Sequence, residues 1–214
     1  MSTYATDTDL LHWEPSLFKD ATIPSQTLLA GSGDLSGTAF TISAGSFVTA
    51  GVEPGHVITL AGTVNGSFPV IAVNSATSLT ISVLYDRLTP GDGELPPARP
   101  IGTATSVPFT IKTARPQITL ISELLRQSID VRDAAQILNP NELRRPVALG
   151  TLQLLYAATA AVALEDSSLS VRAQMYERLY RRALRGAKIE IDANGDGRTD
   201  AIRCPALPRL YRST

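Results

Sequence analysis

From Val107 to Ile129 the chain reads VPFTIKTARPQITLISELLRQSI, and its pattern changes partway through. VPFTIKT is a short run with β-branched and aromatic residues, which predicts a strand. From Arg115 the apolar positions Ile118, Ile121, Leu124, Leu125 and Ile129 recur at three- and four-residue steps, the period of an amphipathic helix. This boundary assigns the chain to the α+β class and fixes where its β part stops. The architecture expected is a helical bundle with an inserted small antiparallel β-barrel or sandwich module, a C-terminal β-hairpin and an extended arm.

Upstream of the boundary, AFTISAGSFV, HVITLAG, FPVIAV and SLTISVLY are further strand-like runs. Glu53-Pro54-Gly55, Asn65-Gly66 and Asn74-Ser75 separate them as turns. LTPGDGELPPARPIGTA reads as a long exposed loop. Residues 34–114 therefore form the expected β module, and 1–33 an N-terminal helical segment in which Thr6 or Asp7 caps a helix carrying Leu10, Leu11 and Trp13.

Downstream, residues 115–187 are expected to form the bundle and 188–214 the hairpin and arm. Asn139-Pro140-Asn141-Glu142 has the pattern of a helix start: a cap, a proline at the first position, and an acid three after the cap. That helix runs into VALGTLQLLYAATAAVAL, Val147–Leu164, which has no charged residue. Its alanines, threonines, Gln153 and Gly150 make it a weak membrane span and a better buried helix. A third helix begins near Ser167–Leu169, with Val171, Met175, Leu179 and Arg182 on one face, and stops at Gly186.

Composition is ordinary for a globular chain: 214 residues, 43% hydrophobic, 18% charged, formal net charge −1. Near-neutral charge gives no general pull toward nucleic acid or a membrane surface. The acidic start MSTYATDTDLLHWEP lacks the pattern of a secretory signal. A single cysteine, Cys204, rules out an internal disulfide framework. Neither His12 nor His56 sits in a recognised catalytic or metal motif, and no nucleophile elbow, P-loop, dinucleotide fingerprint or zinc spacing is present. We therefore expect no enzyme and no required cofactor.

Two features carry more information. Arg172, Arg178, Arg181, Arg182 and Arg185 crowd one helix. They favour its negative C-terminal end, and they suit either a solvated face or ion pairing across an interface, with Arg178, Arg181, Arg182 and Arg185 as the interface candidates. The other is IDANGDGRTD, Ile191–Asp200, with acidic or amide side chains at Asp192, Asn194, Asp196 and Asp200. Their spacing follows the first part of an EF-hand loop, but Arg203 stands where the bidentate glutamate belongs and strands flank the loop. The two readings are a hairpin turned by Asn194-Gly195 or Asp196-Gly197, and a loop that holds a structural Ca²⁺ through those four residues.

The order of these segments resembles the head-to-tail adaptor (connector, neck) proteins of tailed bacteriophages. The segments are ATDTDLLHWEP, ISELLRQSID, LQLLYAATAAVAL, YERLYRRALRG, the acidic hairpin and the arm CPALPRLYRST. The resemblance covers residues 4–30 and 115–205 and lies in layout rather than in a motif. It implies a non-enzymatic virion protein whose copies, twelve in number, form a ring beneath the portal protein. Such a ring extends the DNA channel, lets genomic DNA through without sequence-specific binding, and joins a neck or tail-completion protein. Assembly would take place in the host cytoplasm, with the finished protein in the virion neck and no membrane involved. The arm would dock on the portal, with Leu207, Leu210 and Tyr211 as its contacts. The competing reading is a β-rich binding module, for carbohydrate or another virion protein, on a helical stalk.

Overall fold

A computed structural model describes residues 3–19, 26–84, 98–162 and 167–205. The chain divides into two compact units, residues 6–114 and residues 1–5 with 115–214.

In the first unit six strands form a closed antiparallel barrel. They are β1 (Gln26–Gly37), β2 (Ala39–Ile42), β3 (Val57–Leu60), β4 (Gly66–Ser75), β5 (Ser78–Ile81) and β6 (Gly102–Thr113), in the order β1-β2-β5-β4-β3-β6. The long strand β6 closes it. It pairs with β1 from Gln26↔Thr113 to Gly37↔Gly102 and with β3 from Val57↔Lys112 to Leu60↔Phe109. Alternate residues point inward and fill the interior. Phe109 lies edge-on to Phe40 and Phe47, with ring centroids 5.1 and 6.2 Å apart, among Ile58, Leu60, Leu79 and Ile81. Burying each such side chain stabilises the fold by about 1.5–3 kcal/mol.

Helix α1 (Asp7–Trp13) belongs to this unit. Asp9 Oδ2 accepts from both the Thr6 amide, at 2.8 Å, and the Thr6 hydroxyl, at 3.0 Å, which closes the first turn. Asp7 Oδ1 accepts from the Ala114 amide at 2.8 Å, and the Thr8 amide and hydroxyl both donate to the Gly55 carbonyl. Leu10, Leu11, Leu17 and Phe18 are buried.

The second unit holds α2 (Arg115–Ser128), a 3-10 turn (Ala134–Gln136), α3 (Asn141–Val162), α4 (Ser167–Gly186) and a hairpin, β7 (Ile189–Ile191) with β8 (Ala201–Arg203). Helix α3 is buried on nearly every side, from Leu143 to Thr159. Its Gly150 is needed for close approach. A Cβ there would lie 3.0 Å from Ile121 Cγ2 of α2 and 3.0 Å from Tyr180 Cε2 of α4. Tyr156 and Tyr176 stack between α3 and α4, 5.6 Å apart and 8° from parallel.

Two expectations are corrected. A helical bundle with an inserted β module is not the frame of this fold. A closed six-strand barrel with its own core is, and it takes α1 with it, while helices α2, α3 and α4 accompany the hairpin in the other unit. The cause lies in TLLAGSG, Thr27–Gly33, placed from sequence in the N-terminal helical segment 1–33, which instead forms part of β1. Gly33 is there for space, because a Cβ would fall 2.5 Å from the Thr41 carbonyl oxygen and 2.6 Å from Phe40 Cζ. The face of α4 is corrected as well. Leu169, Tyr176, Tyr180 and Leu184 are buried, whereas Val171 is 63% and Met175 44% exposed and Arg182 is exposed. The tyrosines carry more apolar area than the residues assigned to that face from sequence, so they take the interior.

Candidate functional site

Helix α4 sets out the predicted arginines in a definite pattern. All four of Arg178, Arg181, Arg182 and Arg185 are exposed. Arg181 is paired with Glu177 one turn back. Arg178, Arg182 and Arg185 have no acid within ion-pair distance among the described residues. Arg172 is used inside the unit: its Nη1 donates to the Tyr156 hydroxyl at 3.2 Å, and its guanidinium lies 5.7 Å from that ring's centroid. The free cations thus occupy the C-terminal half of α4, opposite the buried tyrosine face. Three unpaired guanidiniums on one rigid helix face can take carboxylates of an incoming surface without displacing any internal partner.

The hairpin is positioned by the segment before α3. Leu138 N donates to Glu190 O at 3.0 Å, and Asp192 N donates to Gln136 O at 2.9 Å. Asn139 clamps β7 from both sides, donating through Nδ2 to Lys188 O and accepting from Glu190 N at Oδ1. Arg203, whose charge breaks the EF-hand pattern, has a different task. Its Nη1 donates to Ile129 O at 2.7 Å, just beyond the end of α2, and pairs with Asp130 at 3.3 Å. A cation at the C-terminal end of a helix is favoured by the helix dipole.

Within the loop the acids are held by main-chain donors. Asp192 accepts from the amides of Gly195, Asp196 and Gly197. The amide of Gly197 contributes most to holding its carboxyl below the usual carboxylate range, against an opposing effect of burial and with help from Gly195, Asp196 and Asn194. Asp200 Oδ2 accepts from Ala193 and Asn194, and Asp196 Oδ1 from Arg198. Both turn glycines, Gly195 and Gly197, have φ near +80°. Asp192, Asn194, Asp196 and Asp200 are therefore brought together. Among the described residues, however, no group of three or more His, Cys, Asp or Glu side chains is arranged to hold a metal ion. Leu207, Leu210 and Tyr211 lie outside the described residues.

One feature has no counterpart in the sequence reading. A cavity of about 290 Å³ in the second unit is lined by Tyr4, Ser122, Glu123, Arg126 and Asp133 among others. Arg126 donates to Glu123 and to the carbonyls of Val131 and Arg132. Its hydrogen bond depresses the Glu123 carboxyl, while burial raises the Tyr4 phenol. Tyr4 stands about 120 positions from the rest of the lining, and only its hydrogen bond to Ser122 reveals the link. No local pattern could have found it.

Among the described residues no helix is long and apolar enough to cross a membrane. Comparison with protein-family models, curated proteins and solved structures returns no match.

Proposed function

We propose that this protein is a structural virion component, a head-to-tail adaptor whose copies form a ring beneath the portal, extend the DNA channel and join the head to a neck or tail-completion protein. The observation that carries this reading is the outer face of α4, where Val171 and Met175 are exposed and Arg178, Arg182 and Arg185 have no acid within ion-pair distance among the described residues. Unneutralised arginines beside exposed apolar side chains on a rigid element are what a protein–protein interface uses. The hairpin, clamped by Asn139 and Arg203, is a fixed element suited to docking. On this reading its loop is a structural turn, and calcium or a chelator leaves ring formation unchanged.

Native mass measurement and imaging of the purified protein, alone and with portal, test the proposal. A closed ring with a central channel is expected. A monomer or trimer that binds glycans would replace it with the β-rich binding module.

A further inference from the structure

The outer seam of α4 has a matching seam on α2. On α4 the exposed series is Val171, Met175, Arg178, Arg182 and Arg185, with steps of four, three, four and three. At about 100° per residue these five lie on one side of the helix, diametrically opposite the buried Leu169, Tyr176, Tyr180 and Leu184. On α2 Pro116, Leu120, Glu123 and Gln127 have the same steps, and Asp130, two residues past the end of the helix in a turn with φ +55°, follows at the next one. The four helical residues lie opposite the buried Ile118, Ile121 and Leu125. Leu120 is 50% exposed and the Asp130 side chain 87%. Both buried seams are used inside the unit, where Ile121 and Tyr180 reach Gly150 of α3, so both outer seams point away from α3.

We propose that α4 of one copy packs in parallel against α2 of the next, head to tail. In that register Pro116 faces Val171, Leu120 faces Met175, Glu123 faces Arg178, Gln127 faces Arg182 and Asp130 faces Arg185. Apolar residues meet at one end, and toward the other Glu123 and Asp130 each meet an arginine that has no acid within ion-pair distance among the described residues. The antiparallel alternative puts Leu120 against Arg182 and Asp130 against Val171, so charge selects the parallel one. Glu123 already accepts from Arg126 and Gln127, and Asp130 from Arg203. An added guanidinium therefore joins existing carboxylate contacts and breaks none of them. Because the two seams differ and sit on different helices, the contact is heterologous, and repeating it closes a ring when the rotation allows. The inference rests on the ring reading above and assigns its subunit interface.

The test is charge exchange in the full chain, read by sedimentation. Arg178→Glu with Arg182→Glu, and separately Glu123→Arg with Gln127→Arg, should each raise the concentration needed for assembly by roughly tenfold or more. Mixing the two variants, or combining all four substitutions in one chain, should restore assembly. As a check that does not depend on the altered Arg126 contact, Leu120→Cys with Met175→Cys in a Cys204→Ser background should give a covalent ladder on oxidation. A parent that forms rings while the exchanges have no effect and no ladder appears overturns this interface and leaves the ring reading standing. A parent that stays monomeric with portal present removes both.

Discussion

Gly150→Ala tests whether α2, α3 and α4 are packed as closely as the geometry requires. In an open helix interior the change gains about 1 kcal/mol from backbone propensity. Here the new methyl meets Ile121 Cγ2 at 3.0 Å and Tyr180 Cε2 and Cζ at 3.0 and 3.1 Å. Both neighbours are buried, so neither has solvent to move into. Overpacking of this kind costs about 1–3 kcal/mol. The net expectation is a loss of about 1 kcal/mol, read from denaturant unfolding followed by far-ultraviolet circular dichroism. A double-mutant cycle with Ile121→Ala sharpens it. That background removes one of the two obstructing groups, so the methyl should cost about 1 kcal/mol less there than in the parent. If Gly150→Ala stabilises the parent by its full propensity gain, or if the cycle shows no coupling, the three helices are not in the contact described.

Three further outcomes are expected. Tyr180 has a buried hydroxyl with no hydrogen-bond partner among the described residues, and burial pushes its phenol up to about 12. Tyr180→Phe should therefore hold or raise stability by up to about 1 kcal/mol, and a loss of similar size would mean the hydroxyl is paired. The neutral phenol is the form the fold favours, so its contribution is intact below pH 10 and lost as pH climbs toward 12; the parent should weaken across that window and the Phe variant should not. Asp192 has its carboxyl depressed by loop amides, Gly197 first, so its contribution is present above pH 4 and lost as pH falls below it; Asp192→Asn should remove that acid dependence and speed amide exchange at Gly195 and Gly197, and unchanged exchange would count against these bonds. Gly33→Ala puts a methyl 2.5 Å from a main-chain oxygen that cannot rotate aside, so barrel stability should fall by about 2 kcal/mol or more; a loss within experimental error would show β1 and β2 to be further apart than described.

How far the sequence carried the reading depended on whether the deciding interaction was local. The change from strand to helix at Arg115 was legible because it is a change of period within 23 residues. The start of α3 at Asn139–Glu142 was legible because caps are local chemistry. The role of TLLAGSG was not, since its partner strand β6 lies some 80 residues on and its glycines serve contacts made only in the closed barrel. The orientation of α4 failed for a related reason. Val171 and Met175 form as regular an apolar series as Leu169, Tyr176 and Tyr180, and only the stacking of Tyr176 on Tyr156 chooses between them. The acidic loop shows the limit most clearly. Its spacing fits both a turn and a cation site, and the amides that meet its charges cannot be placed from local sequence.

The closure of the barrel bears on where assembly contacts can form. A closed sheet has no edge strand to offer a neighbour. Strand β7 is covered on one side by β8 and on the other by Ile137 and Leu138. Strand β8 is different, because among the described residues nothing pairs with its outer edge, and Ile202 on it is 62% exposed. Three short residues are too few to hold a partner alone, so this edge can extend a contact made elsewhere but cannot found one. On the proposed assembly, the outer faces of α2 and α4, whose residues match in spacing and in charge, are where binding energy would concentrate. Arg203 connects the two features: it ties the β8 end to Ile129 and Asp130, the last position of the α2 seam. Under the proposed packing, substituting Arg203 would loosen together the hairpin and Asp130, the acid placed opposite Arg185, so its effect on assembly, read by sedimentation, should exceed that of any single exposed arginine on α4.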